Sequence, residues 1–109
     1  MSDRELLEAA AKAARIPAFW DDLSGSMRVV NEGAGNWYLW RPLADDGDAL
    51  RLAVRLNLLV FTARSCAVAN ASDRGGPCIR EVFHDDKNDL SATRRAIVRA
   101  AAEIGKAMP

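Results

Sequence analysis

The chain has 109 residues, half of them hydrophobic, and its 15 Lys and Arg residues balance 15 Asp and Glu residues. This length suits one globular domain with a single core, so we expect one domain over residues 1–109. Balanced charge gives no broad electrostatic attraction to nucleic acid or to an anionic membrane. No uncharged run is long enough for a bilayer and the N-terminus lacks a signal-peptide pattern, so we predict a cytoplasmic protein.

The first part of the chain predicts a helix and a hairpin. Ser2 and Glu5 form a capping box, and the apolar stripe that follows must end before Pro17. This pattern predicts a helix over residues 3–14. Turn-forming residues then surround two alternating segments, which we predict to pair as strands: residues 27–31 and 37–41.

The central segment predicts a capped helix that leads directly into a buried strand. Asp45 is the expected N-cap, and Asn57 is the expected left-handed residue at the helix end. The predicted core side of this helix carries Leu50, Ala53, Val54 and Asn57, and the predicted solvent side carries Arg51 and Arg55. Residues 58–61 form a short apolar run that is typical of an inner strand.

The last part of the chain predicts two strands and a helix. The strands are expected over residues 66–69 and 78–84, and the helix over residues 91–107. If the two strands pair across the glycine-rich turn, Cys66 and Cys78 lie at opposite ends of the hairpin, which argues against a disulfide.

The predicted fold is therefore a single small α+β domain with the order α-β-β-α-β-β-β-α. Runs of strands separated by helices favour one mostly antiparallel sheet that the helices cover. The alternative is that the central helix crosses over between two parallel strands.

The residues that could carry chemistry lack the spacing that chemistry requires. His84 stands beside two aspartates, but no C-x-x-C or H-x-x-x-H spacing would bring it together with Cys66 and Cys78 at a metal. The acidic run at residues 45–48 fits helix capping better than a calcium loop, because the other ligands of such a loop are missing. We therefore predict no metal, no cofactor and no catalytic residue, and expect that the protein is not an enzyme.

An aromatic cluster is the strongest candidate for a binding surface. The residues concerned are Trp37, Tyr38, Trp40 and Arg41. Strand alternation places Trp37 on one face and both Tyr38 and Trp40 on the other, so at least one ring is expected outside the core unless a helix covers it. We predict a protein interface here. A strand with bulky apolar residues on both faces needs a cover on each, which is either the first helix or the same strand of a second copy. The small alanines of the first helix offer little area to cover two large rings, so we predict an isologous homodimer through Tyr38 and Trp40.

A basic stripe on the last helix is the candidate for nucleic-acid contact. Its members are Arg94, Arg95, Arg99 and Lys106. Such a stripe could contact phosphates, but a solvated helix face has the same composition, and no DNA-binding motif accompanies it.

Two segments carry a family resemblance: WRPLADDGDALRLAVRLNL (residues 40–58) and ATRRAIVRAAAEIGKAM (residues 92–108). Together with LLEAAAKAARIP (residues 6–17), they resemble short hypothetical proteins of unknown function encoded by bacteriophages and prophages. Arg41 and Ala44 flank the Pro-Leu pair where relatives are expected to have the polar residues Thr and Asn, and residues 66–88 show no resemblance. The resemblance implies a phage origin and supplies no catalytic residues.

These observations favour a small phage or prophage accessory protein that acts without catalysis. The expected partner is a host protein or complex, for example a bacterial defence system that the protein inhibits in the manner of an anti-CRISPR protein. The alternatives are a small nucleic-acid-binding regulator that uses the last helix and a protein that sequesters a nucleotide signal.

Overall fold

The structure is a computed structural model that describes residues 2–31, 35–63, 66–71, 78–82 and 89–108. It confirms an α+β fold built from three helices and six strands within this part of the chain. The elements are α1 (Asp3–Ala14), β1 (Ala18–Asp21), β2 (Ser26–Asn31), β3 (Asn36–Trp40), α2 (Asp46–Arg55), β4 (Leu58–Ala63), β5 (Cys66–Ala71), β6 (Cys78–Val82) and α3 (Asp89–Ala107).

Helix α1 begins and ends where its capping residues predict. The Ser2 side chain accepts a hydrogen bond from the Glu5 backbone N–H at 3.2 Å, which satisfies one donor of the first turn. Arg15 closes the helix in the left-handed region, with φ 56°, and Pro17 follows in the extended connection to β1. The predicted bounds of α1 are confirmed.

The first sheet, which we call sheet A, is an antiparallel meander with the order β1-β2-β3. The hairpin between β2 and β3 is confirmed, with Met27 opposite Trp40 and Val29 opposite Tyr38. Strand β1 is an addition to the predicted order, because its four residues are too short to show a pattern. Most of the turn predicted between β2 and β3 lies outside the described residues.

The second sheet, sheet B, is an antiparallel meander with the order β4-β5-β6. In its register Cys66 lies opposite Val82, whereas Cys78 lies opposite Asn70. The two cysteines therefore lie at opposite ends of the hairpin, as predicted.

The prediction of one continuous sheet is wrong. The structure has two three-stranded sheets, and α2 connects the last strand of sheet A to the first strand of sheet B. All strand pairs in the described ranges are antiparallel, so the alternative of a parallel crossover through α2 is also wrong. A pattern of strands and helices predicts which elements form, but it does not predict where a sheet is interrupted.

Helices α1 and α3 connect the two sheets through a close mutual contact. Helix α1 packs on β1 and β2, α3 packs on all three strands of sheet B, and the two helices pack on each other. The buried positions of both helices are mostly alanine: Ala10, Ala11, Ala13 and Ala14 in α1, and Ala92, Ala96, Ala100, Ala101 and Ala102 in α3. Such small side chains let two helix backbones approach closely.

The closest approach lies at Gly105 of α3. A Cβ atom added at this position would overlap the carbonyl oxygen of Ala9 in α1. Because the obstacle is backbone, no side-chain rotation could relieve the overlap. Glycine is therefore required at position 105 by the distance between the helices, not by its own backbone conformation.

We predict that Gly105→Ala destabilises the fold. A Gly-to-Ala change inside a helix normally stabilises by roughly 0.5–1 kcal/mol, but overpacking typically costs about 1–3 kcal/mol, and here the overlap is with backbone. The net expected result is a loss of about 2 kcal/mol in the free energy of unfolding, measured by urea denaturation with circular dichroism.

Gly47→Ala in α2 is the matched control. A Cβ atom at Gly47 would meet only the ends of the Arg51 and Asp45 side chains at 3.2 Å, which can move aside. The control is expected to be neutral or slightly stabilising. Equal stability of the Gly105 variant and wild type would contradict the proposed close contact.

Candidate functional site: a groove between β3 and α2

A buried carboxylate fixes the start of α2 to the end of β3. Asp45 is the N-cap, as predicted, and its Oδ2 accepts a hydrogen bond from the Asp48 backbone N–H at 2.8 Å. The Asp48 side chain is buried, with Oδ2 accepting from the Arg41 backbone N–H at 2.9 Å and Oδ1 from an Arg51 Nη at 2.7 Å. Both carboxylate oxygens are thus used, which sets the position of α2 relative to the strand.

Charged contacts also connect the start of α2 to helix α3. The Asp48 carboxylate, by its hydrogen bond and charge, raises the pKa of Arg51 above its ordinary value, with a smaller effect of Asp45. Arg94 of α3 donates from Nε to the Leu43 carbonyl oxygen at 2.9 Å and from an Nη to Asp46 Oδ1 at 2.6 Å. The first turn of α2 is therefore held by both β3 and α3.

The buried face of α2 differs from the predicted one. Ala49, Leu52 and Ala53 face the core, whereas Leu50 and Val54 are 63 % and 67 % exposed. The prediction that Leu50 and Val54 are core residues is wrong, because the Asp48 anchor turns the adjacent position 49 inward and its i+3 and i+4 neighbours follow. Two large apolar side chains are left on the outer surface of the helix.

These side chains form one wall of a groove, and β3 forms the other. The groove has a volume of about 770 Å³ and is lined by Ile16, Tyr38, Trp40, Asp48, Leu50, Arg51, Leu52, Val54 and Arg55. Tyr38 is 49 % exposed and offers most of the accessible aromatic surface at this wall. An apolar groove with a few polar groups at its border is the usual form of a binding site.

A second cavity continues the groove past the edge of β3. It has a volume of about 510 Å³ and shares Tyr38, Asp48 and Arg51 with the first cavity. Its lining adds Leu39, Arg41, Ala44 and Asp45. Tyr38 and Leu39 have side chains on opposite faces of the sheet, so this cavity reaches the strand edge itself.

The border of the groove carries an excess of positive charge. Arg51 is paired with Asp48 at 2.7 Å and lies 3.8 Å from Asp45. Arg55 donates to the Ala14 carbonyl oxygen, a neutral partner, and has no acidic partner among the residues that the structure describes. The Arg41 side chain likewise makes no ion pair within those residues. Two cationic groups therefore remain for a ligand.

The predicted aromatic interface is divided between two faces and the core. Trp40 is only 4 % exposed and packs with residues of α1, α2 and α3 in the core. Trp37 is 54 % exposed on the opposite face, where the Arg28 guanidinium stacks 3.8 Å from its ring centroid. Of the predicted residues, the groove and its continuation bring together Tyr38, Trp40 and Arg41, and only the buried Trp40 is unavailable to a partner.

Trp40 is too deeply buried to take part in the predicted homodimer through Tyr38 and Trp40. Helix α1 covers this face of sheet A, so the buried Trp40 ring is already in contact with the chain's own core. The small alanines of α1 do not prevent this cover, because they allow the helix backbone to lie close to the ring. Replacing Trp40 would therefore create a cavity rather than test an interface.

The side chains of the predicted basic stripe interact with other groups of the same chain. Besides the contacts of Arg94, Arg95 lies 3.4 Å from Asp3 in an ion pair, and Lys106 lies 3.2 Å from Glu103. Arg99 also has an interaction partner. These cations are held by neighbouring groups, and the structure does not present them as a row of free phosphate-binding side chains.

Neither a metal-binding cluster nor a membrane-spanning helix is found in the described ranges. Those ranges contain no group of three or more His, Cys, Asp or Glu residues that could hold a metal ion. His84 lies outside them. None of the described helices combines the length and the hydropathy that crossing a membrane requires.

A comparison with family models, curated proteins and solved structures finds no match to this chain. The candidate site is therefore identified from the geometry of this chain alone.

Sequence reasoning missed the exposed pair Leu50 and Val54. The signal was present, since Ala49, Leu52, Ala53 and Leu56 form a second apolar stripe at helical spacing. Both stripes contain Ala53, and tertiary contacts select between them, among them those of Asp48 with Arg41 and of Arg94 with the start of α2.

We predict that Asp48→Ala lowers the free energy of unfolding by about 2 kcal/mol, because it leaves the Arg41 N–H without an acceptor. Arg51→Gln removes only the ion-pair partner, whose side chain is 72 % exposed, and is expected to cost less than about 1 kcal/mol. Urea denaturation of both variants provides the comparison. Equal losses would show that the ion pair, not the backbone hydrogen bond, is the main contribution of Asp48.

A second carboxylate, Asp21 of β1, gives a pH-dependent prediction. Its Oδ2 accepts hydrogen bonds from Ser24 Oγ at 2.9 Å and Arg28 Nη at 2.8 Å. The Ser24 hydrogen bond is the main cause that lowers the pKa of Asp21, with smaller effects from the Leu23 N–H and the Arg28 charge. Because the folded pKa is the lower one, the stabilisation exists above the unfolded pKa and is lost as the pH falls through the folded pKa.

Ser24→Ala is therefore expected to raise the pKa of Asp21 toward its ordinary value, as measured by an NMR titration of the carboxyl carbon. Ser2→Ala, which removes a hydroxyl that bonds Glu5 and not Asp21, should leave this titration unchanged. An unchanged Asp21 midpoint in the Ser24 variant would contradict the assigned cause.

Proposed function

We propose that this protein acts without catalysis by binding a segment of another protein in the groove between β3 and α2. The observation that carries the proposal is the exposure of Leu50 and Val54 on α2 opposite Tyr38 on β3. Apolar side chains that line a groove and remain accessible are typical of a protein-binding surface.

The charge of the groove defines the partner more closely. Arg41 and Arg55 lie at its border without acidic partners in the described chain, so the segment bound there carries acidic residues beside its apolar ones. The apolar residues supply affinity in the groove, and the acidic residues fix the orientation of the segment. A neutral protein with a local cationic border can select such a partner without attracting anions in general.

The affinity of this site depends on few side chains. Complete burial of a Leu, Val or aromatic side chain contributes about 1.5–3 kcal/mol, and the three exposed side chains are already partly covered. Their remaining contribution is a few kcal/mol, compared with about 8 kcal/mol for a micromolar complex. Further hydrogen bonds or ion pairs with the partner are therefore part of the proposal.

The biological setting of the proposal is a bacteriophage or prophage, which rests on the resemblance of residues 40–58 and 92–108. In this setting the partner is a host protein or complex in the bacterial cytoplasm, with defence systems as the first class to test. Inhibition of a host assembly by occupation of one of its docking segments requires no catalytic residue.

We predict that a photo-crosslinking residue placed at Tyr38 captures a specific protein from host lysate. The same residue placed at Leu23, which is 98 % exposed but lies in the β1–β2 turn, is the positional control. Addition of Leu50→Asp, expected to leave the fold unchanged because Leu50 is exposed, should reduce the crosslinked product at least tenfold through desolvation of a charge in the groove.

Leu23→Asp provides the same change of charge away from the groove and should leave crosslinking at Tyr38 unchanged. Crosslinks of equal yield at both positions, or insensitive to Leu50→Asp, would count against a partner in the groove.

A further inference from the structure

The outer edge of β3 carries backbone groups that no strand uses. Sheet A has the order β1-β2-β3, so β3 pairs with β2 on one side only. In an antiparallel ladder, alternate residues direct both N–H and C=O toward the neighbouring strand and the others direct them away. The Arg41 N–H reaches Asp48 of α2 and therefore lies on the side away from β2.

Alternation then assigns the unused groups to two residues. Leu39 and Trp37 lie two and four positions before Arg41, so their N–H and C=O groups also face away from β2. The described ranges contain no hydrogen bond from other elements to these groups. The edge thus offers two donors and two acceptors, and it ends at Arg41, where the Asp48 carboxylate takes the next donor.

This edge lacks the features by which proteins usually protect an outer strand. The sequence of β3 is Asn-Trp-Tyr-Leu-Trp, which contains no charged residue and no proline. Its register with β2 is continuous, without a bulge. By contrast, the outer strand β1 contains Asp21 and follows Pro17. An unprotected edge is a template for pairing with another chain.

The space beside the edge is open. Leu39 and Tyr38 belong to opposite faces of sheet A, yet both line the cavity of about 510 Å³ that continues the groove. That cavity therefore extends along the edge, with Tyr38 on one face and Leu39 on the other. Trp37, on the same face of the sheet as Leu39, is also exposed. An added strand would find apolar surface for its side chains on both faces, which accounts for the bulky residues on both faces of β3.

We propose that the bound segment is an extended peptide that adds to β3 as the fourth strand of sheet A. This inference rests on the proposed function and specifies its partner: a segment with alternating apolar residues and at least one acidic residue. Alternate side chains enter the groove beside Tyr38, Leu50 and Val54, and the others lie beside Trp37. The backbone hydrogen bonds to Trp37 and Leu39 supply the affinity that the apolar contacts alone lack.

A segment of another protein fits this edge better than a second copy of the chain. A twofold axis that pairs Leu39 with Trp37 of a second copy would set Arg41 opposite Gly35, which carries no charge. A second copy would therefore leave the cations of the groove border without an acidic partner, whereas an acidic segment is complementary to them.

The test uses a displayed library of random 12-residue peptides selected on the immobilised protein, followed by synthesis of the best binder. Each backbone amide of that peptide is then methylated in turn, which removes one N–H donor per variant. For strand addition, affinity should fall roughly tenfold at alternate positions and change little at the positions between them.

Two protein variants accompany the peptide series. Leu39→Pro removes one outward N–H from the edge without touching the ladder to β2, and it should weaken binding at least tenfold. Leu50→Asp reports on the groove itself. Circular dichroism checks the fold of both variants, and the methylation series decides the question if Leu39→Pro does not fold.

The outcomes separate the two proposals. Binding that is lost in Leu50→Asp and shows the two-residue period supports both. Binding that is lost in Leu50→Asp without this period overturns strand addition and leaves the groove as the binding site. Failure to select a peptide, or binding insensitive to Leu50→Asp, overturns both. A wild-type dimer that Leu39→Pro dissociates overturns the inference by placing a second copy at the edge.

Discussion

The close contact of α1 and α3 is the constraint on which the rest of the structure depends. It requires Gly105 against the Ala9 carbonyl and small residues elsewhere on both helices. The helix pair holds sheet A on one side through α1 and sheet B on the other through α3. Since neither sheet of three short strands can bury a core alone, both rely on this pair for a hydrophobic partner.

The groove is a consequence of how α2 is held between these parts. Asp48 fixes the helix to the end of β3, and Arg94 fixes the same turn to α3. These polar contacts determine the rotation of α2, and with it the exposure of Leu50 and Val54. The site is thus positioned by hydrogen bonds of the first helical turn rather than by packing of its own apolar residues. This separation allows the exposed lining residues Tyr38, Leu50 and Val54 to change without loss of the fold.

Local signals in the sequence were sufficient for most elements but not for their assembly. Capping residues such as Ser2 and Asp45 act within one turn, so the starts of α1 and α2 could be predicted. The division into two sheets depends on contacts between distant elements, and the four residues of β1 show no period. For the site, the aromatic residues of β3 were identified, but the burial of Trp40 and the exposure of Leu50 follow from tertiary contacts with α1 and with Asp48.

The pairing of α1 with α3 also bears on the order in which the chain folds. Asp3 meets Arg95, Ala9 meets Gly105, and Lys12 Nζ donates to the Met108 carbonyl oxygen at 3.1 Å, so the two helices run parallel. These partners are 92 to 96 positions apart in sequence. Contacts of such long range close slowly, and α1 cannot pack on α3 before residues 95–108 have left the ribosome. Until then β1 and β2 can already pack on one side of α1, whereas the alanines that later contact α3 remain exposed to solvent.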